Sequence, residues 1–216
     1  MEEGIWRVSA DASLQAVLED PACPPLLARV LGTVHSWQVR NETTVNRTLK
    51  SSRLMPYWTA ALIALDAVVT VEGEDGSEEV ALESLVRRRK KGNTTSVHIC
   101  RRENTRWGDA HVGRTSSDEP IVAAYAVVWG TDGTVDNARI VLSGASSEPV
   151  WVADAANGLV GRRLDGESLS DVVSAVVDEV EPVGDYLGSE TYRRAMAGVL
   201  TRRALEACLR QEEDDG

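Results

Sequence analysis

Residues 121–143 read IVAAYAVVWGTDGTVDNARIVLS. Residues 121–129 and 135–143 are runs of β-branched, aromatic and small apolar side chains, the composition that suits a pleated, largely buried strand. Between them stand Gly130, Thr131, Asp132 and Gly133. A short loop so rich in turn formers joins two antiparallel neighbours as a hairpin. Downstream the period changes. Residues 153–160, 169–180 and 190–210 carry apolar positions at helical spacing, with Leu169, Val172, Val173, Val176, Val177 and Val180 along one side of the second segment. Strands followed by helices, rather than alternating with them, imply an antiparallel sheet with helices packed on one face.

Working upstream, residues 11–19 read as a short amphipathic helix capped by Asp11, with Leu14, Val17 and Leu18 on its apolar side. Pro24 and Pro25 open a second helix, where proline is tolerated, and Gly32 closes it. Residues 35–52 hold neither period and read as loop. Residues 57–66 are apolar almost throughout, with Trp58, Ala61, Leu62 and Leu65 spaced for one face, and predict a buried helix. Residues 67–72 and 79–82 read as strands around a turn at Glu74, Asp75 and Gly76, and residues 94–101 as a further strand. The polar stretch 102–109 separates the halves. The expected fold class is therefore α+β in two lobes, residues 1–108 and 109–216.

Composition bounds the function. The 216 residues are 43% hydrophobic and 26% charged, within the range of folded proteins. A formal charge of −11 repels phosphates, which disfavours nucleic acid as a partner. The basic run 87–91 reads as a solvated turn. No apolar run approaches the roughly 20 residues of a membrane span, and the first residues are acidic and lack a leader's apolar stretch. With Cys23, Cys100 and Cys208 scattered and odd in number, no disulfide framework is expected, and a reducing cytoplasm fits best. His35, His98 and His111 lack neighbours at zinc-ligand spacing, so no metal is expected, and His98 reads as a solvent-facing strand residue. No P-loop, G-x-G-x-x-G or nucleophile elbow is present.

Several segments then act together: residues 138–144 (ARIVLSG), Glu148-Pro149-Val150, residues 187–194 (LGSETYRR) and 199–205 (VLTRRAL), with residues 38–41 (QVRN) and 61–67 (ALIALDA) in the first half. The combination, over Trp6 to Cys208, resembles the medium, FAD-binding subunit of the molybdenum hydroxylases, the family of carbon monoxide dehydrogenase and xanthine dehydrogenase. The resemblance implies the family's FAD-type middle lobe followed by its carboxy-terminal lobe. The family's amino-terminal lobe, with a Gly-rich pyrophosphate loop, has no counterpart in these residues. Where the family reads Thr-Ile-Gly-Gly-Asn, this chain has Thr44-Val45-Asn46-Arg47-Thr48. Glycines serve such a loop because a backbone that approaches a phosphate closely has no room for a Cβ. A family Ser-Pro-x-x-Asp stands here as Arg53-Leu54-x-x-Tyr57, and a Tyr-x-Lys as Asp109-Ala110-His111, ahead of Arg114 and Asp118.

Three functional expectations follow from the resemblance and its departures. In the first the chain carries no cofactor and binds a small organic molecule for a cofactor-independent cyclisation, isomerisation or proton transfer in a biosynthetic pathway. Trp37, Asn46 and Trp58 would line the pocket, Tyr57 or His111 would act as acid or base, and Arg47 or Arg53 would hold an anion. Equally, those bulky side chains would simply plug an obsolete cleft. In the second expectation FAD is retained, contacted by Thr44, Asn46 and Thr48, with a partner chain completing the site beside iron–sulfur and molybdenum-cofactor subunits. A docking role with self-association into a homo-oligomer is a third.

Overall fold

The computed structural model describes residues 4–34, 36–73, 76–88, 93–115, 118–131 and 133–215, with backbone alone at 34, 88 and 212–215. The chain forms two compact units, Met1–Arg101 and Arg102–Gly216. The division falls earlier than position 108, because the polar stretch expected to separate the lobes contains a strand, Thr105–Val112.

The first unit runs β1 (Ile5–Ser9), α1 (Leu14–Glu19), α2 (Pro25–Val34), α3 (Trp37–Glu42), α4 (Val45–Lys50), α5 (Pro56–Ala64), β2 (Val68–Gly73), β3 (Gly76–Ala81), α6 (Leu82–Arg88) and β4 (Asn93–Cys100). Its strands pair antiparallel in the order β1-β4-β2-β3. Alternation sends Trp6, Val69, Val71, Val97 and Ile99 into the core. The α5 helix starts with Pro56 in its first turn and is buried on all sides from Tyr57 to Ala64, as an apolar sequence without a polar face requires. It ends where Asp66 takes φ 59°.

The second unit runs β5 (Thr105–Val112), β6 (Val122–Thr131), β7 (Thr134–Ser143), β8 (Val150–Val152), a 3-10 helix (Asp154–Leu159), α7 (Gly166–Glu179) and α8 (Glu190–Asp215). The sheet order is β5-β6-β7-β8, antiparallel throughout. Ala124, Ala126 and Val128 of β6 and Ile140 and Leu142 of β7 share one core with Val172 and Val176 of α7 and Leu200, Ala204, Leu205 and Cys208 of α8. Small residues on β6 and α8 let the helix lie close on the sheet. At Gly108 the approach is closest, since a Cβ there would stand 2.0 Å from the Ala204 carbonyl oxygen.

Several local expectations are corrected. The N-cap of α1 is Ser13, whose hydroxyl accepts from the Ala16 N–H, while the Asp11 N–H donates to the Ser9 hydroxyl. Gly32 lies inside α2. Residues 36–50 are not loop: Ser36 and Thr44 each cap a six-residue helix by accepting from the backbone N–H three positions on. The segment after β8 is a 3-10 helix rather than an α-helix. His98 is 5% exposed rather than solvent-facing, with Nδ1 3.8 Å from a Glu79 carboxylate oxygen. His35, the turn residues Glu74 and Asp75, most of the basic run 87–91 and Asp132 lie outside the described residues.

Candidate functional site

The residues singled out in the sequence sit on different elements of the first unit, with one in the second. Thr44 is the N-cap of α4, and Asn46, Arg47 and Thr48 occupy its first turn and the position after it. Arg47 and Arg53 are exposed, Asn46 is half-buried, and Thr48 is fully buried with its hydroxyl donating to the Val45 carbonyl. Trp37, at the start of α3, is 65% exposed. His111 is half-buried on β5, opposite Ala123 of β6.

Tyr57 and Trp58 do not line an open cleft. Both lie on α5, at 1% and 0% exposure. The reason is the flat apolar character of α5: with no polar face to present, the whole helix is core, and its aromatic residues go inside with the rest. The Trp58 indole N–H is buried with no hydrogen-bond partner among the described residues. A phenol enclosed in this way does not exchange protons with a ligand in solvent, so the acid–base role expected for Tyr57 and the wall role expected for Trp58 are not met by this geometry.

The α4 turn allows a direct test of whether this chain's backbone fits a flavin phosphate. A helix start is an anion site when its first N–H groups are free to point at a ligand. Here the Val45 N–H donates to the Ala12 carbonyl at 3.0 Å and the Asn46 N–H to the Ala10 carbonyl at 2.7 Å. The Arg47 N–H donates to the Thr44 hydroxyl at 3.3 Å. All three donors are used inside the chain. Freeing Val45 and Asn46 for a phosphate would strip the partners from the carbonyls of Ala12 and Ala10, and at Ala10, 1% exposed, an acceptor left buried and unpaired costs about 1–3 kcal/mol. Asn46 and Arg47 also add side chains where the close approach calls for glycine. The turn does not fit the phosphate of FAD.

The remaining polar geometry is structural. Arg193 of α8, 6% exposed, donates from Nη1 to the carbonyls of Ile121 (2.8 Å) and Gly144 (2.9 Å), from Nη2 to both carboxylate oxygens of Asp185 (2.8 Å each), and from Nε to the Gly188 carbonyl (3.4 Å). The guanidinium holds the Asp185 carboxyl below its ordinary range. Arg193 lies at helical spacing from the buried Ala197 and Leu200, the signal in the sequence that could have marked it as an inward-facing arginine. Glu179, at the end of α7, accepts from the Trp151 indole N–H and from the Asp154 and Ala155 backbone N–H groups, so it caps the 3-10 helix. Burial pushes the Cys23 and Cys208 thiols up to about 12, which keeps both protonated and unreactive. A shallow groove of about 390 Å³ between α7 and α8 is lined by Val173, Gly198, Val199, Arg202 and Glu206, none of them a residue chosen from the sequence. Among the described residues no group of three or more His, Cys, Asp and Glu side chains is placed to hold a metal ion. No described helix is long and apolar enough to cross a membrane.

Comparison with known proteins bears on the same elements. Residues 110–208 match the family model described as the CO dehydrogenase flavoprotein C-terminal domain. The carbon monoxide dehydrogenase medium chain of Afipia carboxidovorans is 34% identical over 93 residues, 43% of this chain and 32% of the relative. The carbon monoxide dehydrogenase medium chain of Hydrogenophaga pseudoflava is 25% identical over 190 residues, covering 85% of this chain and 66% of the relative. The chain spans about two thirds of the length of the curated relatives it matches. Among solved structures, carbon monoxide dehydrogenase from Hydrogenophaga pseudoflava lacking the Mo-pyranopterin moiety superposes with a TM-score of 0.85 at 24% identity, over 97% of this chain and 77% of that one, a likeness of fold. Residues 110–208 thus match a CO dehydrogenase flavoprotein C-terminal domain, and over most of its length the chain is similar to medium subunits of the molybdenum hydroxylases, of the carbon monoxide dehydrogenase type.

Proposed function

We propose that this protein is a medium-type subunit of a molybdenum-hydroxylase-class oxidoreductase, associating with an iron–sulfur subunit and a molybdenum-cofactor subunit. The observation that carries the reading is the match of residues 110–208 to the CO dehydrogenase flavoprotein C-terminal domain, within a chain that aligns with medium chains over most of its length. In this reading the second unit, stiffened by the Arg193 network and the α7 and α8 pair, is a rigid docking module. No step of electron transfer is assigned to a flavin on the α4 turn, because that turn does not fit its phosphate. Co-expression with iron–sulfur and molybdenum-cofactor subunits of a molybdenum hydroxylase, followed by size-exclusion with light scattering, tests it. Co-elution in a defined ratio is expected. A chain that elutes alone with every candidate pair contradicts it.

A second reading is favoured by the closed α4 turn: a flavin-free subunit fold that binds a small organic ligand for a cofactor-independent biosynthetic step. Arg47 and Arg53, both exposed, would supply the anion contacts, with Trp37 as an aromatic surface and His111 as a separate acid or base. If Arg47→Ala and Arg53→Ala leave ligand binding unchanged, this reading loses its two cations.

A further inference from the structure

We infer that the α4 turn is a fixed joint of the first unit, and that no flavin phosphate is held by its backbone, whether the chain is alone or assembled. The inference rests on the medium-subunit reading only for the ligand it excludes; the joint itself is read from hydrogen bonds in this chain.

Four backbone bonds make the joint. The Leu14 N–H donates to the Thr43 carbonyl, the Val45 N–H to Ala12 and the Asn46 N–H to Ala10, while the Ala10 N–H donates on to Thr95 of β4. Ser13 and Thr44 form an isolated antiparallel bridge at the centre. Residues 10–14 and 43–46 are thus paired like two short strands, and that pair is fastened to the sheet through β4. The donors that would face an anion are the ones that make the pairing. Loss of glycine at 46 and 47 agrees with this. Asp66 and Asn104 are the non-glycine residues at positive φ among those described, so Asn46 and Arg47 sit in ordinary helical backbone that any side chain accepts. The backbone donors of Val45, Asn46 and Arg47 are all taken, and their three acceptors, Thr44 Oγ1 and the carbonyls of Ala10 and Ala12, are supplied by the protein.

The test reads the two amides directly. Hydrogen exchange at Val45 and Asn46 is measured on the full chain with and without saturating FAD, beside a flavin fluorescence titration. Both amides are expected to exchange slowly in the free chain and to change by less than about twofold with FAD. Slowing of either amide by about tenfold or more with FAD, together with stoichiometric binding, overturns the inference. The double variant Asn46→Gly/Arg47→Gly is expected to gain no FAD binding, because removing side chains leaves the donors engaged. Stoichiometric FAD on that variant overturns the inference, since the amides would then have been available all along. If the chain assembles with partner subunits, the same amides are read in the complex. A flavin bound there with exchange at 45 and 46 unchanged agrees with the inference, and a flavin that slows either amide by about tenfold or more overturns it.

Discussion

Arg193 organises the second unit from one side chain. Its guanidinium gathers the start of β6, the glycine after β7 and the turn before α8, and Gly144 meets it with φ 73°, where an added Cβ would stand 2.0 Å from the Ile121 carbonyl. A planar fork with five donors suits this set of acceptors, and a single ammonium does not. Arg193→Lys is expected to lower unfolding stability by about 3 kcal/mol, because buried carbonyls lose their donors while a charge stays inside; a urea midpoint within error of wild type would show the network to be dispensable. Asp185 carries the matching pH dependence. Arg193 lowers its folded pKa below that of the unfolded chain, so its contribution is present above about pH 4 and fades as pH falls through the folded value. Asp185→Asn should therefore flatten the acid limb of the stability profile, leaving neutral-pH stability lower than wild type. Stability measured from pH 7 down to acid denaturation checks this, and an unchanged acid limb would mean the pair does not set it.

Elements extend the same logic to packing and caps. β5 lies on α8 so closely at Gly108 that alanine has no room, and Gly108→Ala should cost about 2–3 kcal/mol or more as strand and helix are forced apart. Gly166, in the first turn of α7, meets nothing within 4 Å and has no positive φ, so Gly166→Ala should be neutral or stabilising by about 0.5 kcal/mol. Thermal melts of the two variants side by side separate close approach from glycine entropy. Thr44→Val should remove the cap on the Arg47 N–H and destabilise the first unit by about 1 kcal/mol, read by local hydrogen exchange across α4. These elements also show how far the chain was legible beforehand. The hairpin of β6 and β7, the buried α5 and the long α7 and α8 stand out because their periods run over many residues. β1 and β5 do not: Ile5–Ser9 offers Trp6 and Val8 alone to the alternation, and Thr105–Val112 mixes Arg106, Asp109 and His111 into it. α3 and α4 are too short to show a period and exist because Ser36 and Thr44 start them. The positions of Asn46 and Arg47 were readable as departures from a glycine loop. That their amides are tied to Ala10 and Ala12 was not, because a backbone bond across 30 or more residues leaves no mark in side-chain identity, and neither does the depth at which Tyr57 and Trp58 lie.

The whole molecule joins a medium-subunit fold to an α4 turn whose first amides are bonded within the chain. Its second unit matches a domain of flavoprotein subunits, and its first unit uses the amides of Val45 and Asn46 in its own construction. With net charge −11 the chain favours partners that present basic surface, and its association should weaken as salt rises if the contact is mainly electrostatic. Native mass spectrometry with metal analysis of the chain purified from its host tests membership of a molybdenum-containing assembly. A heteromeric species that contains this chain with molybdenum and iron in fixed ratio to it is expected. A monomer or homo-oligomer free of both metals would contradict it.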